Sequence, residues 1–134
     1  MIKSIGHLAF GVKDIGKSLE FYCGVLGFSE MFRMSNPKRD PAGVYIKVAH
    51  EQYLELFVMD EVANGPQQSY KHMCLHVEDI EGVVEDIQRK GWSIDHPIKM
   101  GGDGNLQAWI TDPDGNRIEF MQLHPDSKQR KADP

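Results

Sequence analysis

One nine-residue phrase occurs twice in this chain, half a chain apart. His7-Leu8-Ala9-Phe10-Gly11-Val12-Lys13-Asp14-Ile15 returns as His72-Met73-Cys74-Leu75-His76-Val77-Glu78-Asp79-Ile80, an offset of 72 − 7 = 65 residues. Each copy is followed by a strand-like run with a single acid in it. These are Glu55 in Tyr53-Leu54-Glu55-Leu56-Phe57 and Glu119 in Arg117-Ile118-Glu119-Phe120-Met121. The histidine-to-glutamate separations are 55 − 7 = 48 and 119 − 72 = 47. The chain has 134 residues, enough for one ordinary domain, while half that length would be marginal alone. The expectation is one domain over 1–134, with module one at about 3–59, module two at about 70–123 and a polar, frayed tail at 124–134.

Residue alternation assigns the elements within each copy. Leu8, Phe10 and Val12 share one side of a half-buried strand, and His7, Ala9 and Gly11 share the other. Asp14 reads as a helix cap, Ile15, Leu19, Tyr22 and Leu26 follow at helical spacing, and Gly27 ends the helix. Module two repeats this with Met73, Leu75 and Val77 facing the core, Asp79 as cap and Gly91 as stop. Three further strands are expected per module, at 28–34, 44–48 and 53–58, then at 92–95, 106–111 and 117–123. Residues 35–43 and 100–105 read as loops, the latter holding a mobile Gly101-Gly102-Asp103-Gly104 flap, and 60–69 as the link between modules. Asp112-Pro113-Asp114-Gly115-Asn116 is a strong turn signal. The fold class is therefore α+β: two tandem βαβββ modules forming a curved-sheet cavity, with helices on one face of each sheet.

The same parity places four ionisable groups on the other face. His7, Glu55, His72 and Glu119 each have large apolar neighbours of opposite parity, which must face the helix-covered core. A lone strand histidine is ordinarily a hydrogen-bonded structural residue, and a lone strand glutamate ordinarily meets solvent. Recurrence in register is what separates these four from such residues. Converging acids are costly unless a cation joins them, and two imidazoles with two carboxylates suit a divalent metal while leaving positions open. His76 shares the face of His72 about 13 Å further along the strand, and reads as a pocket residue contacting substrate. Trp109 has the parity of the cavity face, and Phe57 joins the apolar lining. Cys74 reads as a small packed thiol, and His50, His96 and His124 as surface residues near turns.

Bulk properties exclude several classes. The net charge of −5 argues against a nucleic-acid partner, which needs a basic face. No apolar run approaches the roughly 18 residues of a membrane span, and the first residues make a poor signal peptide. Cys23 and Cys74 form no metal or redox motif, so a reduced cytoplasmic setting is expected.

The chain resembles the vicinal-oxygen-chelate superfamily, also called the glyoxalase, bleomycin-resistance and dioxygenase superfamily. The likeness spans roughly residues 3–123. Its strongest pieces are Ile5-Gly6-His7-Leu8-Ala9-Phe10, Ser18-Leu19-Glu20-Phe21-Tyr22-Cys23-Gly24-Val25-Leu26-Gly27-Phe28 and Asp112-Pro113-Asp114-Gly115-Asn116-Arg117-Ile118-Glu119. The His/Glu/His/Glu quartet is similar to that of the glyoxalase I enzymes. That resemblance implies Ni²⁺ or Zn²⁺ on His7, Glu55, His72 and Glu119, and a small-molecule hemithioacetal substrate. It implies Glu119 as the base, with Glu55 its counterpart on the opposite face, and a homodimer. Where those enzymes hold glutathione's carboxylates with an arginine and an asparagine, this chain has Gly11 and Met59, so the resemblance does not carry glutathione over. The related epimerases usually place glutamine at the position of Glu55, and the extradiol dioxygenases histidine. Bleomycin-resistance proteins, which bind a drug without metal, generally lack the quartet.

Overall fold

The alternation at residues 7–12 is realised as strand β1 (His7–Val12), whose Val12 is fully buried. Asp14 is in extended conformation and its carboxylate accepts from the Lys17 amide, starting helix α1 (Ile15–Leu19). The helical pattern continues as expected, but with a change of winding: Glu20–Val25 is a π-helical turn, with the Leu26 amide donating to the Phe21 carbonyl. Consecutive Phe21 and Tyr22 are both buried there, and Gly27, at φ +78°, stops the helix. Strands β2 (Ser29–Asn36), β3 (Arg39–Ala49) and β4 (Gln52–Val58) complete a sheet ordered β1-β4-β3-β2. The parallel partner of β1 is β4, and the remaining pairs are antiparallel.

The second copy folds the same way. Strand β5 (Met73–His76) precedes helix α2 (Ile80–Arg89), capped by Asp79 on the Gly82 amide and stopped at Gly91, at φ +86°. Strands β6 (His96–Met100), β7 (Leu106–Thr111) and β8 (Arg117–Gln122) follow, in the sheet order β5-β8-β7-β6. The computed structural model describes residues 1–133, and its two units are Met1–Gly65 and the chain from Pro66 onward. Their boundary falls inside the expected connecting segment. The βαβββ plan is thus present twice.

Directly paired residues point to one side of a sheet. In the first unit, Val12, Leu54, Leu56, Val44 and Ile46 are buried on the side of the helix, where Phe10 meets the Tyr22 ring at 6.0 Å. In the second, Ile118, Phe120, Ile110 and Ala108 are buried, as are Ile80 and Ile87 of α2. Each such large side chain contributes about 1.5–3 kcal/mol. That clamp on the apolar parity fixes the register and turns the intervening residues to the opposite face.

Four expectations need correction. Residues 35–43 are no long loop: β2 and β3 form a tight hairpin in which the Asn36 side-chain Oδ1 accepts from the Lys38 and Arg39 amides. The strand that follows the helix in module two lies at His96–Met100 and not at 92–95. There Trp92 donates its indole N–H to the Thr111 carbonyl instead of entering a ladder. The glycine-rich segment is a hydrogen-bonded turn, with Gly104 donating to Gly101 and the Asn105 amide donating to Asp103 Oδ1. The tail is not frayed over its described part. Ser127 is buried and caps helix α3 (Lys128–Ala132), and buried Asn105 accepts from the His124 amide at 2.9 Å.

Candidate metal centre

In the first unit the register sets His7 opposite Tyr53 and Ala9 opposite Glu55, which is in turn opposite Tyr45. All share the face away from the helix. His7 Nε2 lies 2.9 Å from Glu55 Oε2, and the Tyr45 hydroxyl donates to the same oxygen at 2.9 Å. The Tyr45 ring meets the His7 ring edge-on at 5.3 Å and stacks on Phe32 at 4.7 Å. Glu55 is 9% exposed, while its histidine is open to solvent. The hydrogen bond to Glu55 holds the Tyr45 phenol above its usual range, since losing the proton would set two negative oxygens together.

The second unit repeats the arrangement with different supports. His72 Nε2 lies 3.8 Å from Glu119 Oε2, and Glu119 is 6% exposed. Trp109 takes the place of Tyr45: it is paired with Glu119, and its ring meets the His72 ring edge-on at 4.7 Å. The Arg117 guanidinium covers the Trp109 ring at 4.5 Å, and the indole N–H donates to Gln107. Glu119 Oε1 instead accepts from the Cys74 thiol at 3.4 Å. Burial first, and then the hydrogen bond to Glu119, push the Cys74 thiol up to about 12. Cys74 is therefore more than packing, because it supplies a donor to Glu119.

The structure brings each predicted histidine to its own glutamate. Phe57 lies on the same face, one step beyond Glu55, and is 43% exposed. His76 is paired with Met121, one step beyond Glu119, and lines an open cavity of about 480 Å³ with Val77, Glu78, Gln122 and Leu123. Tyr45 is the residue the sequence reading passed over. The signal was available, because 109 − 45 = 64 equals 119 − 55 = 64, so Tyr45 stands in the first copy where Trp109 stands in the second.

The donor chemistry fits a divalent ion. Two ligands with bonds of ~2.0–2.2 Å, at angles from square to tetrahedral, stand about 2.8–3.6 Å apart. The His7–Glu55 spacing of 2.9 Å falls inside that range, and the His72–Glu119 spacing of 3.8 Å needs a few tenths of an ångström of closing. Among the described residues no three His, Cys, Asp or Glu side chains are grouped to hold a metal ion, so each unit offers two donors.

A sequence model of the Glyoxalase/Bleomycin resistance protein/Dioxygenase superfamily matches residues 4–120. The chain belongs to that superfamily. A probable lactoylglutathione lyase of Synechocystis is 29% identical over 123 residues, covering 87% of this chain and 92% of the relative. Virulence protein STM3117 of Salmonella typhimurium is 33% identical over 126 residues, covering 91% and 85%. Lactoylglutathione lyase GLX1 of Arabidopsis thaliana is 25% identical over 126 residues, and this chain spans 44% of its length. The crystal structure of a glyoxalase family protein from Enterococcus faecalis superposes with a TM-score of 0.77 at 25% identity, covering 89% of this chain and 97% of that one. No helix among the described residues is long and apolar enough to cross a membrane.

Proposed function

We propose that this superfamily member is a metal-dependent enzyme of the glyoxalase I type. It isomerises the hemithioacetal of a 2-oxoaldehyde to a 2-hydroxyacyl thioester. The observation that carries this reading is the duplicated His–Glu pair, one in each unit, with His7 and Glu55 at a spacing one ion can bridge and His72 and Glu119 a few tenths of an ångström wider. Relatives named as lactoylglutathione lyases support the chemistry.

His7, Glu55, His72 and Glu119 would hold Ni²⁺ or Zn²⁺, which supplies a fixed positive charge to polarise the substrate carbonyl and stabilise the negative charge that develops on its oxygens. Two donors per unit make a full set from two such units, which we read as assembled in a homodimer in the cytoplasm. Glu119 is the base. Its carboxylate takes the proton from the carbon bearing sulfur and returns it to the neighbouring carbon, while the hydroxyl proton passes to the adjacent oxygen. The thiol of Cys74 is a weak donor to Glu119, so the carboxylate turns at little cost. Glu55 is tied by the stronger phenolic donor of Tyr45 and serves as the fixed ligand and as the counterpart on the opposite face. Trp109, His76 and Phe57 contact the substrate.

The test is reconstitution. Protein stripped by a chelator and reloaded with Ni²⁺, Zn²⁺, Mn²⁺ or Fe²⁺ is assayed with methylglyoxal and a panel of thiols, following thioester absorbance. Turnover with at least one ion supports the reading. A protein that takes up no stoichiometric divalent ion overturns it.

A further inference from the structure

On the open face of the first unit the register makes two parallel rows of side chains. The first is Ala9, Glu55, Tyr45 and Phe32, which carries the acid of the proposed centre. The second, two residues further along each strand and so about 7 Å away, is Gly11, Phe57, Gly43 and Met34. No side chain in the second row is polar. Both of its glycines lie under thioethers. A Cβ on Gly11 would stand 2.2 Å from Met59 Sδ, and one on Gly43 would stand 2.7 Å from Met34 Cε. Two methionine side chains thus lie over glycines on either side of the Phe57 ring, and Phe57 and Met59 are 43% and 47% exposed. Cations near the row in sequence are paired with acids outside it: Arg33 with Glu30, Arg39 with Asp60 and Lys13 with Glu61.

We infer that this row is a subsite for an uncharged alkyl or aromatic arm of the substrate. The inference rests on the proton-transfer reading above and extends it to the substrate class. The row continues the strands that carry Glu55, so an arm leaving the reacting carbons along β1 and β4 runs onto Phe57. A carboxylate placed there would lose its water and gain no donor in return. An alkyl chain gains affinity with each methylene buried. Thioethers adapt their shape to what covers them, so Met34 and Met59 fit arms of several shapes. Gly11 is the specificity-determining position, because any side chain there displaces Met59.

Hydroxamates test this directly, since they chelate a divalent ion through adjacent oxygens and can carry different arms. Nickel-loaded full-length protein is titrated with acetohydroxamate, hexanohydroxamate and the monohydroxamate of a dicarboxylic acid of matching length, by calorimetry and tryptophan fluorescence. Hexanohydroxamate is expected to bind at least tenfold tighter than acetohydroxamate, and the carboxylate-bearing probe no tighter than acetohydroxamate. Met59→Ser, at an exposed position, should remove most of the gain from the arm and leave acetohydroxamate binding unchanged, and Phe57→Ser should likewise remove most of that gain. Equal affinity of hexano- and acetohydroxamate overturns the subsite while leaving the metal reading standing, and so does a preference for the carboxylate arm. If Phe57→Ser splits a dimer and arm length has no effect, a second copy of the chain covers the row and the subsite is overturned. Failure of all three probes on stoichiometrically loaded protein overturns the subsite together with the reading it rests on.

Discussion

The hydroxyl of Tyr45 and the imidazole of His7 converge on a single oxygen of Glu55, at 2.9 Å each, although the tyrosine and the glutamate lie on neighbouring strands. A carboxylate oxygen with a phenolic donor on one side keeps its direction when a cation approaches from the other. Removing that donor tests how much the direction matters. Tyr45→Phe should weaken nickel binding about 10- to 100-fold, as loss of a partner that orients a ligand commonly does, with little change in unfolding temperature. Competition against a chromophoric chelator reads the affinity.

Glu119 should be separable from Glu55 by its effect on rate. Glu119→Gln keeps an oxygen donor but no base, so turnover should fall by about 10²–10⁴-fold. Metal analysis of the same preparation must show nickel retained for the loss to be assigned to proton transfer. Undiminished turnover would remove Glu119 from the role of base.

One side chain braces the turn that feeds β8, beside its backbone bonds from the Asp112 amide to the Asn116 carbonyl and from the Gly115 amide to the Asp112 carbonyl. Asp112 Oδ1 accepts from the amides of Asp114 and Asn116, and Oδ2 accepts from the Asn116 side chain. Asp112 and Asn116 are both buried, so truncating the acid removes three hydrogen bonds from a buried turn. Asp112→Ala should cost about 2–4 kcal/mol, read as a lowered urea midpoint. Because this turn sets the register of Glu119, metal affinity should fall with it.

Asn105 ties the C-terminal segment to the second sheet. Its carbonyl oxygen accepts from the His124 amide and its amide group reaches Gln129. Asn105→Ala should cost about 1–3 kcal/mol. It should also speed proteolysis after residue 124 relative to wild type, which limited digestion with mass spectrometry would show.

A pH dependence comes from α2. Hydrogen bonding to Lys90, helped by Arg89, holds the Asp86 carboxyl below its usual range. A depressed carboxyl gives stability that is present above its unfolded value and lost as pH falls through the folded one. Wild type should therefore exceed Asp86→Asn in urea midpoint at neutral pH, with the two converging in acid. Parallel curves across the whole range would assign no stability to this pair.

The duplicated phrase made the sheet faces legible from residues alone. Leu54 and Leu56 had to face a helix, so Glu55 had to face away, and the structure has both orientations. The caps Asp14 and Asp79 were equally plain, because each is a local side-chain-to-backbone bond. What escaped depended on partners distant in sequence or on geometry that leaves no periodic trace. Asn105 holds the tail from 19 residues away, through a contact no local pattern encodes. The π turn at Glu20–Val25 shares its apolar spacing with an α-helix. The β2–β3 hairpin was hidden by polar residues that alternate without an apolar face. Tyr45 was readable from the repeat, but Tyr45 and Trp109 differ in chemistry, and only alignment of the copies shows their equivalence.

The methionines lying on Gly11 and Gly43 give the proposed subsite a soft floor beside the stiff corner of the proposed metal centre. His7, Glu55 and Tyr45 are locked to one another, whereas two unbranched chains on bare backbone can be exchanged without disturbing that lock. On the proposed function, a lineage built this way would alter its diet by single changes at positions 34 and 59 and leave the proton transfer untouched.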